Sequence, residues 1–310
     1  MRNITRLWAF VACVCLMWSC VGKQESTHKG SYLKLKTVKD NHALFGWTYE
    51  RIPMISAHRG GPAEGYPENS LEAFRRVASQ MPVIIECDVA LTSDDSLMLM
   101  HDNTVNRTTN GMGNINDLTY AQVKDLLLED DQGAITDYRV PSFSEALRWV
   151  KGKAVYTVDV KKGVPWKSVI DAIHAQGAAP YCAVITYNAD DAYRVHALDP
   201  EMMISVTIRN EEEYKRHRDA GVPDNRMIAF TGLTERPKEF YQMLHDKGIM
   251  CIIGAIGNLD KKAVAKGEGV YLDLVNGGAD IIATDRPVEA YKAIQIKIDK
   301  ESPIYRKYFR

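Results

Sequence analysis

Short apolar runs alternate with amphipathic segments along most of the chain. Nine runs have the length and composition of buried strands: "MISAH", "VIIECDV", "LMLMH", "AVYTVDV", "CAVITY", "MMISVTI", "RMIAF", "IMCIIGA" and "ADIIATD". Between most of them lie segments with apolar residues three and four positions apart, and several of these end in glycine, as helices often do. Alternating strands and helices predict an α/β protein with a parallel sheet, and this number of units predicts a (β/α)8 TIM barrel.

The second and third runs form an exception to the parallel pattern. Only "ALTSDDS" separates them, whereas a parallel crossover needs about a dozen residues or more. We therefore predict an antiparallel hairpin that turns around Asp94 and extends the second strand, which leaves eight strands for the barrel. Such a turn pairs residues whose numbers sum to about 188, and it brings His101 close to Glu86 and Asp88.

The first 20 residues are typical of a secretory signal. Arg2 and Arg6 precede an apolar run over residues 7–18, which is too short to span a membrane. We expect export to the periplasm or the cell surface. Cys20 follows a small residue at the end of the run, where bacterial lipoproteins are cleaved and acylated, so it is the expected lipid anchor to a membrane. An ordinary signal peptide is the alternative.

Composition divides the rest of the chain into three parts. Residues 21–50 are mostly polar and are expected to form a tether and lead-in, residues 51–297 the barrel, and residues 298–310 a charged tail at the surface. The net charge of −1, from 39 Lys and Arg against 40 Asp and Glu, argues against a nucleic-acid partner. Nothing in the pattern specifies an oligomeric state.

Side chains outside the main pattern have simpler interpretations. Three cysteines in apolar runs, Cys87, Cys182 and Cys251, are predicted to be buried thiols rather than disulfides. The glycine-bearing loop "NRTTNGMGNIND" is a candidate lid over the barrel mouth. Asp285 ends the last strand and either contacts the site or caps the following helix. Histidines on predicted helices are expected to be solvated; they are His174, His196, His217 and His245.

Acidic side chains are concentrated on one face of two predicted strands. Alternation puts Glu86 and Asp88 on the same face of one strand, and Asp159 and Lys161 on the same face of another. Buried carboxylates are costly unless positive charge meets them. The oxygens of Glu86, Asp88 and Asp159 could bind a hard divalent cation, and pairing of each carboxylate with a nearby arginine or lysine is the alternative.

Two histidines are predicted to lie at the same barrel mouth. His58 ends the first strand, and active sites of such barrels form at the carboxyl ends of the strands. His58 and His101 could exchange protons with a substrate near neutral pH, although a single histidine there is more often a core residue. Arg59 and Lys161 would supply positive charge for an anionic substrate, most naturally a phosphate.

The order of these segments resembles that of a known family. "HRG" is followed by "PENSLEAF", "ECDVALTSDDSLMLMHD", "NRTTNGMG", "VPSFSEAL", a strand with an acid and a lysine two apart, and "IIATDRP". Over Ile55–Pro287 the chain looks like the glycerophosphodiester phosphodiesterase family. The resemblance implies a TIM barrel that hydrolyses glycerophosphodiesters, as small-molecule substrates, to an alcohol and glycerol 3-phosphate with Ca²⁺ or Mg²⁺.

The resemblance also implies roles for particular side chains. His58 and His101 would be the general acid and base. The resemblance places two further groups around them: the metal ligands Glu86, Asp88 and Asp159, and the substrate-binding residues Arg59, Lys161, Glu68 and Asn69. From residue type and position alone, Asn69 or Ser70 is predicted to be the N-cap of the helix that follows.

Two departures from the family pattern leave alternatives open. Asp159 stands where Glu-x-Lys is usual, and "CIIGAIGN" stands where Trp-Thr-Val-Asn is common. The first departure puts metal binding in question, and the second alters the substrate side. One alternative is therefore a phosphodiesterase for another headgroup, such as a phosphoinositol or lysophospholipid. The other is a barrel that binds phosphorylated headgroups without turnover.

Overall fold

The computed structural model describes residues 33–309, so the predicted signal and lipid anchor lie outside the described residues. The strands are β1 (Met54–Ala57), β2 (Ile84–Leu91), β3 (Leu97–Leu99), β4 (Leu127–Glu129), β5 (Ile135–Arg139), β6 (Val155–Val160), β7 (Cys182–Thr186), β8 (Met203–Thr207), β9 (Met227–Phe230), β10 (Cys251–Gly254) and β11 (Ile281–Thr284).

Twelve α-helices accompany these strands within the described chain. They are α1 (Val38–Phe45), α2 (Leu71–Ala78), α3 (Tyr120–Asp125), α4 (Phe143–Val150), α5 (Trp166–Ala175), α6 (Ala189–Leu198), α7 (Glu211–Asp219), α8 (Lys238–His245), α9 (Asn258–Lys266), α10 (Gly269–Gly277), α11 (Pro287–Ile294) and α12 (Pro303–Tyr308). In residues 33–309 no helix combines the length and the apolar character that crossing a bilayer requires.

Eight of the strands form a closed parallel barrel. They follow one another in the order β1, β2, β6, β7, β8, β9, β10 and β11, and β11 pairs again with β1. Each of the nine predicted apolar runs contains a strand, and the TIM barrel prediction is confirmed. The carboxyl ends of all eight strands therefore meet at one mouth.

The predicted hairpin also forms. Strand β3 pairs antiparallel with β2, and its register joins Val89 to Leu99 and Leu91 to Leu97, so that paired numbers sum to 188. The Met100 N–H continues this register by donating to the Asp88 carbonyl at 3.1 Å. The short polar turn around Asp94 was therefore sufficient to predict the register of the hairpin, and with it the position of His101 relative to Asp88.

Side chains that point into the barrel change character from the amino to the carboxyl ends of the strands. Along β6, Val155 belongs to an apolar layer, Thr157 lies above it, and Asp159 reaches the mouth. The alternate residues, such as Tyr156 and Val158, point outward and pack in the core between strands and helices. The three predicted buried thiols are free and buried, as expected.

The segment between β3 and α4 is a small folded insertion rather than a bare loop. It contains α3, β4 and β5, and it has an apolar core of its own. The buried members of that core are Met98, Met100, Val105, Ile115, Val123, Leu128 and Val140, with Ala90 from β2. The candidate lid is therefore part of this insertion, held in place by packing.

Both ends of the described chain differ from the sequence prediction. Residues 21–50 were predicted as a tether and lead-in; in the described part of this segment, residues 33–50, Leu33 and Phe45 are buried and α1 begins with a capping box at Thr37. The predicted surface tail likewise contains α12 and the buried Phe309, whose backbone bridges to Leu33. The apolar layer at the amino ends of the strands requires cover, and these two segments supply it.

Two of the four helical histidines also contradict the prediction that they are solvated. His174 is exposed, but His217 and His245 are buried. The ring of His245 stacks on Trp47, with 4.5 Å between ring centroids, and its Nε2 lies 2.9 Å from Asp280. These partners come from distant parts of the chain, which a helical pattern does not reveal.

Candidate active site

The turn after β1 positions the first part of the site. Arg59 adopts a left-handed conformation with φ of 51°, and its backbone N–H donates to Glu86 Oε2 at 2.7 Å. A Cβ on Gly60 would lie 2.3 Å from the Phe74 ring, and one on Gly61 would lie 2.5 Å from Pro287. These two glycines therefore allow close packing against α2 and α11.

Three carboxylates from β2 and β6 converge at the mouth. One ligand oxygen from each of Glu86, Asp88 and Asp159 lies within 4.8 Å of the others. Asp88 and Asp159 are buried. Burial and the negative charge of Asp88 raise the pKa of Glu86 well above its ordinary value. Both burial and the neighbouring carboxylate therefore oppose the ionisation of Glu86.

Lys161 partly compensates this charge. Its Nζ lies 2.5 Å from Asp88 Oδ1 and 2.7 Å from Asp159 Oδ2. Burial would raise the pKa of Asp88, but Lys161, Asn69 and His101 together outweigh that effect and the pKa is lowered. Burial would lower the pKa of Lys161, but the two aspartates raise it. Within residues 33–309, Glu86 has no cationic side chain at ion-pair distance, so the alternative, pairing of each carboxylate with a nearby arginine or lysine, holds for two of the three.

Each of the two predicted histidines is held by a carboxylate. His58 Nδ1 lies 2.6 Å from Asp285 Oδ1, and His101 Nδ1 lies 2.6 Å from Asp102 Oδ1. Both rings line the same cavity, and both are left with Nε2 available to a bound molecule. Of the two options for Asp285, contact with the site is the one observed.

Glu68 and Asn69 form hydrogen bonds to two other predicted site residues, Arg59 and Asp88. Glu68 is buried and accepts hydrogen bonds from Arg59 Nη1 at 3.1 and 3.2 Å. Asn69, with φ of 54°, donates from Nδ2 to Asp88 Oδ2 at 2.7 Å and accepts from the Asp88 N–H at 3.0 Å. Ser70, not Asn69, is the N-cap of α2. Direct contact of Glu68, Asn69 and Arg59 with substrate stays a prediction, because none of them lines the cavity.

The cavity has a volume of about 230 Å³ and two unlike sides. Its charged side is lined by His58, Glu86, Asp88, His101, Asp159 and Lys161. Its other side is largely apolar and is lined by Ile185, Phe230, Ile252, Ile256 and Ala283. Hydroxyl groups also line the cavity, among them Thr186, whose buried Oγ1 has no hydrogen-bond partner among the described residues. Such a cavity can hold a small anionic molecule with some apolar surface.

Three side chains of the site were not found from the sequence. Asp102 and Arg107 lie in quoted segments, but a loop has no periodicity that indicates where its side chains point. Arg107 donates to both Asp102 and Glu68. Tyr187 directly follows β7, and its place at a carboxyl strand end was a signal that could have been used.

Comparison with known proteins identifies related sequences and folds. The pattern of the glycerophosphoryl diester phosphodiesterase family matches residues 58–216. The chain is similar to a glycerophosphoryl diester phosphodiesterase of known structure from Parabacteroides distasonis, with 34% identity, a TM-score of 0.86 and coverage of 91% of this chain and 99% of that one.

Two further similarities are more limited. Glycerophosphodiester phosphodiesterase 1 from Mus musculus is 43% identical over 101 residues, which are 32% of this chain and 30% of that protein. The match thus spans less than a third of that mammalian relative. A phosphodiesterase from Oleispira antarctica, solved in complex with the product sn-glycerol-3-phosphate, has 20% identity, a TM-score of 0.63 and coverage of 79% of this chain and 97% of that one. At this identity the likeness shows the fold alone.

Proposed function

The chain belongs to the glycerophosphoryl diester phosphodiesterase family, and from this premise we propose that it hydrolyses glycerophosphodiesters to an alcohol and glycerol 3-phosphate. One observation carries the proposal. Two imidazoles, each held at Nδ1 by a carboxylate 2.6 Å away, line one cavity together with a cluster of three carboxylates. This arrangement supplies a proton acceptor and a proton donor around a single bound phosphodiester.

The carboxylate cluster fits a hard divalent cation. Oxygens on opposite sides of Ca²⁺ are roughly 4.6–5.2 Å apart, given ligand distances of about 2.3–2.6 Å. One ligand oxygen from each carboxylate lies within 4.8 Å of the others, which is compatible with that spacing. The pKa of Glu86 is raised by burial and then by the negative charge of Asp88, and a bound cation would offset both. Glu86, Asp88 and Asp159 would hold Ca²⁺ or Mg²⁺. When bound, the ion would supply Lewis-acid polarisation of a non-bridging phosphate oxygen.

The two histidines transfer the protons of the reaction. One accepts the proton of the nucleophile, either water or a neighbouring glycerol hydroxyl, as its oxygen bonds to phosphorus. The other gives a proton to the alcohol oxygen as the P–O bond to that alcohol breaks. Asp285 and Asp102 keep each ring oriented and stabilise its protonated form. A cyclic intermediate, if the glycerol hydroxyl attacks, is opened by water with the two roles exchanged.

Positive side chains stabilise the charge that builds on the phosphate. Lys161 lines the cavity beside Asp88 and Asp159, and the Nε of Arg59 lies 3.9 Å from Asp88 Oδ2, outside the cavity lining. The Arg59 Nε is buried without a hydrogen-bond partner among the described residues, so it is free to donate to an anion. Preorganised donors of this kind are each worth about 10²–10³-fold in rate.

The test is hydrolysis of glycerophosphocholine by the purified chain, with glycerol 3-phosphate measured by a coupled dehydrogenase. We expect turnover with Ca²⁺ or Mg²⁺ and its loss with a chelator. His58→Ala and His101→Ala should each lower kcat by about 10²–10⁴-fold. His174→Ala is the matched control, since this exposed histidine lies on α5 away from the cavity. Equal rates for all three variants would refute the proposal.

The apolar side of the cavity supports a second candidate, a phosphodiesterase for another headgroup. Phe230, Ile252 and Ile256 offer no charged partner to an amine-bearing alcohol. A lysophospholipid or phosphoinositol substrate would then be turned over faster than glycerophosphocholine. The ratio of kcat/KM between these substrates decides the question.

The position of Lys161 supports a third candidate, binding without turnover. Its ammonium group contacts both Asp88 and Asp159, where it competes with a cation. In that case calorimetry would detect binding of glycerol 3-phosphate, and no phosphodiester would be hydrolysed with any divalent ion. Turnover of any one of the tested diesters excludes this candidate.

We also propose that the chain is exported and anchored by a lipid on Cys20, on the evidence of the sequence alone. Detergent phase partitioning of the protein expressed in a bacterial host tests this. The wild type should enter the detergent phase, and Cys20→Ala should move it to the aqueous phase or stop processing. Cys15→Ala, in the same leader, is the control and should behave as the wild type. A wild type found in the aqueous phase would indicate an ordinary signal peptide.

A further inference from the structure

One side chain outside the cavity bridges two carboxylates, Asp102 and Glu68, that each hold a residue of the site. Arg107 belongs to the insertion between β3 and α4 and lines no part of the cavity. Its Nε and Nη2 donate to the two oxygens of Asp102 at 2.7 and 3.1 Å. Its Nη1 and Nη2 donate to the two oxygens of Glu68 at 2.9 and 2.8 Å. Four of the five guanidinium N–H groups are thus used on two carboxylates.

Each of these carboxylates holds a side chain of the proposed reaction. Asp102 binds Nδ1 of His101 at 2.6 Å, and Glu68 binds the guanidinium of Arg59 at 3.1 and 3.2 Å. His101 comes from the hairpin extension of β2, and Arg59 from the turn after β1. Arg107 therefore lies between the proton-transfer group and the phosphate-binding group, and it contacts neither of them directly.

Hydrogen bonds and burial within the insertion hold the backbone next to Arg107 in place. The two residues that follow it, Thr108 and Thr109, are buried. Thr109 Oγ1 donates to the Val105 carbonyl at 2.6 Å, and the Glu129 N–H of β4 donates to the Thr108 carbonyl at 2.8 Å. The side chain of Arg107 is nevertheless 46% exposed, so solvent reaches the guanidinium. The backbone next to Arg107 is therefore held by hydrogen bonds, while its guanidinium, which bridges Asp102 and Glu68, is accessible to small solutes.

We propose that Arg107 is a positioning residue that orients His101 through Asp102 and Arg59 through Glu68 at the same time. The proposal rests on the proposed phosphodiesterase function and extends it to a residue with no contact to substrate. A planar guanidinium can bind two carboxylates in a bidentate manner, whereas a lysine ammonium is a point charge and cannot. Loss of Arg107 would also leave Glu68 buried with one cation fewer.

The first test measures kcat and KM for a glycerophosphodiester in wild type, Arg107→Lys and Arg107→Ala. We expect kcat to fall about 10- to 100-fold in Arg107→Ala, as for other residues that orient a reacting group through a neighbour, and less in Arg107→Lys. Arg139→Ala is the matched control. Arg139 lies in the same insertion, is 52% exposed and donates to the carbonyls of Lys124 and Asp125. This control should lose hydrogen bonds without losing activity.

The second test separates positioning from a general effect on folding. Methylguanidinium added to Arg107→Ala should restore part of the lost kcat, because the exposed gap admits it, and it should not affect Arg139→Ala. Asp102→Asn combined with Arg107→Ala should be less impaired than the sum of the two single effects, since both changes act on His101 through Asp102 while only Arg107→Ala also affects Arg59 through Glu68. If Arg107→Ala does not fold, the Arg107→Lys kinetics and the same cycle with Asp102→Asn carry the test.

The outcomes distinguish this inference from the function on which it rests. A wild type that hydrolyses no phosphodiester removes both. An active wild type with Arg107→Ala within twofold of Arg139→Ala overturns the positioning role alone. Full additivity of Asp102→Asn and Arg107→Ala, without rescue by methylguanidinium, would also overturn it.

Discussion

Two groups of metal-binding residue types lie at opposite ends of the barrel and differ in how their charges are satisfied. The group at the mouth is Glu86, Asp88 and Asp159, and the group at the amino ends of the strands is His245, Cys251 and Asp280. Asp280 precedes β11, Cys251 begins β10 and His245 ends α8. Both groups bring three potential ligand atoms within 4.8 Å of one another.

The group at the amino ends is internally satisfied. Asp280 accepts from the Cys251 N–H at 2.7 Å, lies 2.9 Å from His245 Nε2 and forms an ion pair with Arg51. Trp47 stacks on His245, and the Arg51 guanidinium lies 5.2 Å from the centroid of the Trp47 ring. Burial and then Asp280 raise the pKa of the Cys251 thiol, so it stays protonated and is a poor metal ligand. This network fastens the segment before β1 to the barrel.

The group at the mouth is not satisfied in this way. Lys161 compensates two of its carboxylates, and Glu86 keeps a raised pKa beside a cavity of about 230 Å³. Residue type and proximity therefore do not separate a binding site from a structural network. The separation comes from uncompensated charge that faces a cavity.

The largest expected effect is on activity, from Glu86→Gln. We expect a loss of about 10²–10³-fold in kcat/KM, because a proposed metal ligand is removed. Stability should stay equal or rise, since burial already disfavours the charged form of Glu86. Enzyme assays and thermal unfolding check the two parts. A large fall in melting temperature would mean that the mouth group is also structural, and the comparison would fail.

The next effect is on stability, from Asp280→Ala. Removing the shared partner of Arg51 and His245 should lower the free energy of unfolding by about 3–5 kcal/mol, because a buried pair is broken. Denaturant unfolding measures this loss. Activity per folded molecule should remain within about twofold of the wild type, since the network is at the far end of the barrel. A loss of activity as large as that of Glu86→Gln would show that the two ends are coupled.

The affinity for Ca²⁺ should depend on pH in a stated direction. The pKa of Glu86 is raised, so as the pH falls through that raised pKa a proton takes the place of the cation. Affinity should therefore be highest above the raised pKa and fall on acidification, by at most about tenfold per pH unit for one proton. Calorimetry from about pH 8 to about pH 5.5 measures the trend. Affinity that is constant or increases on acidification would contradict the assignment of Glu86.

The smallest effect is expected from Cys251→Ala. The thiol lies 3.9 Å from the Ile249 carbonyl and makes no stronger hydrogen bond among the described residues. We expect a loss of about 1 kcal/mol in unfolding free energy, from the small cavity left behind. The increase in melting temperature on adding Ca²⁺ should equal that of the wild type. Loss of that increase would place a metal at the amino ends instead.

Local sequence signals predicted a large part of the site. The short "ALTSDDS" turn and the alternation along "VIIECDV" were sufficient to place His101 beside Asp88, because a hairpin register and a two-residue period depend only on neighbouring residues. The same alternation put Asp159 and Lys161 on one face of their strand, where the structure joins them to Asp88. These relations needed no knowledge of the rest of the chain.

Long-range relations were not accessible in this way. Arg107 meets Glu68 across 39 positions, and His58 meets Asp285 across 227. His245 was predicted to be solvated, yet it is buried against Asp280 across 35 positions. A loop or a helix surface carries no signal for a partner that arrives only when the barrel closes.

Local sequence patterns were therefore sufficient for the order of the barrel strands, the hairpin and the faces on which Glu86, Asp88 and Asp159 lie, because periodicity and turn chemistry act over a few residues. Only the tertiary structure decided which carboxylate holds each histidine, and that α1 and α12 cover the amino ends of the strands. These hydrogen bonds and apolar contacts join segments that are far apart in the sequence and become neighbours in space only when the barrel closes.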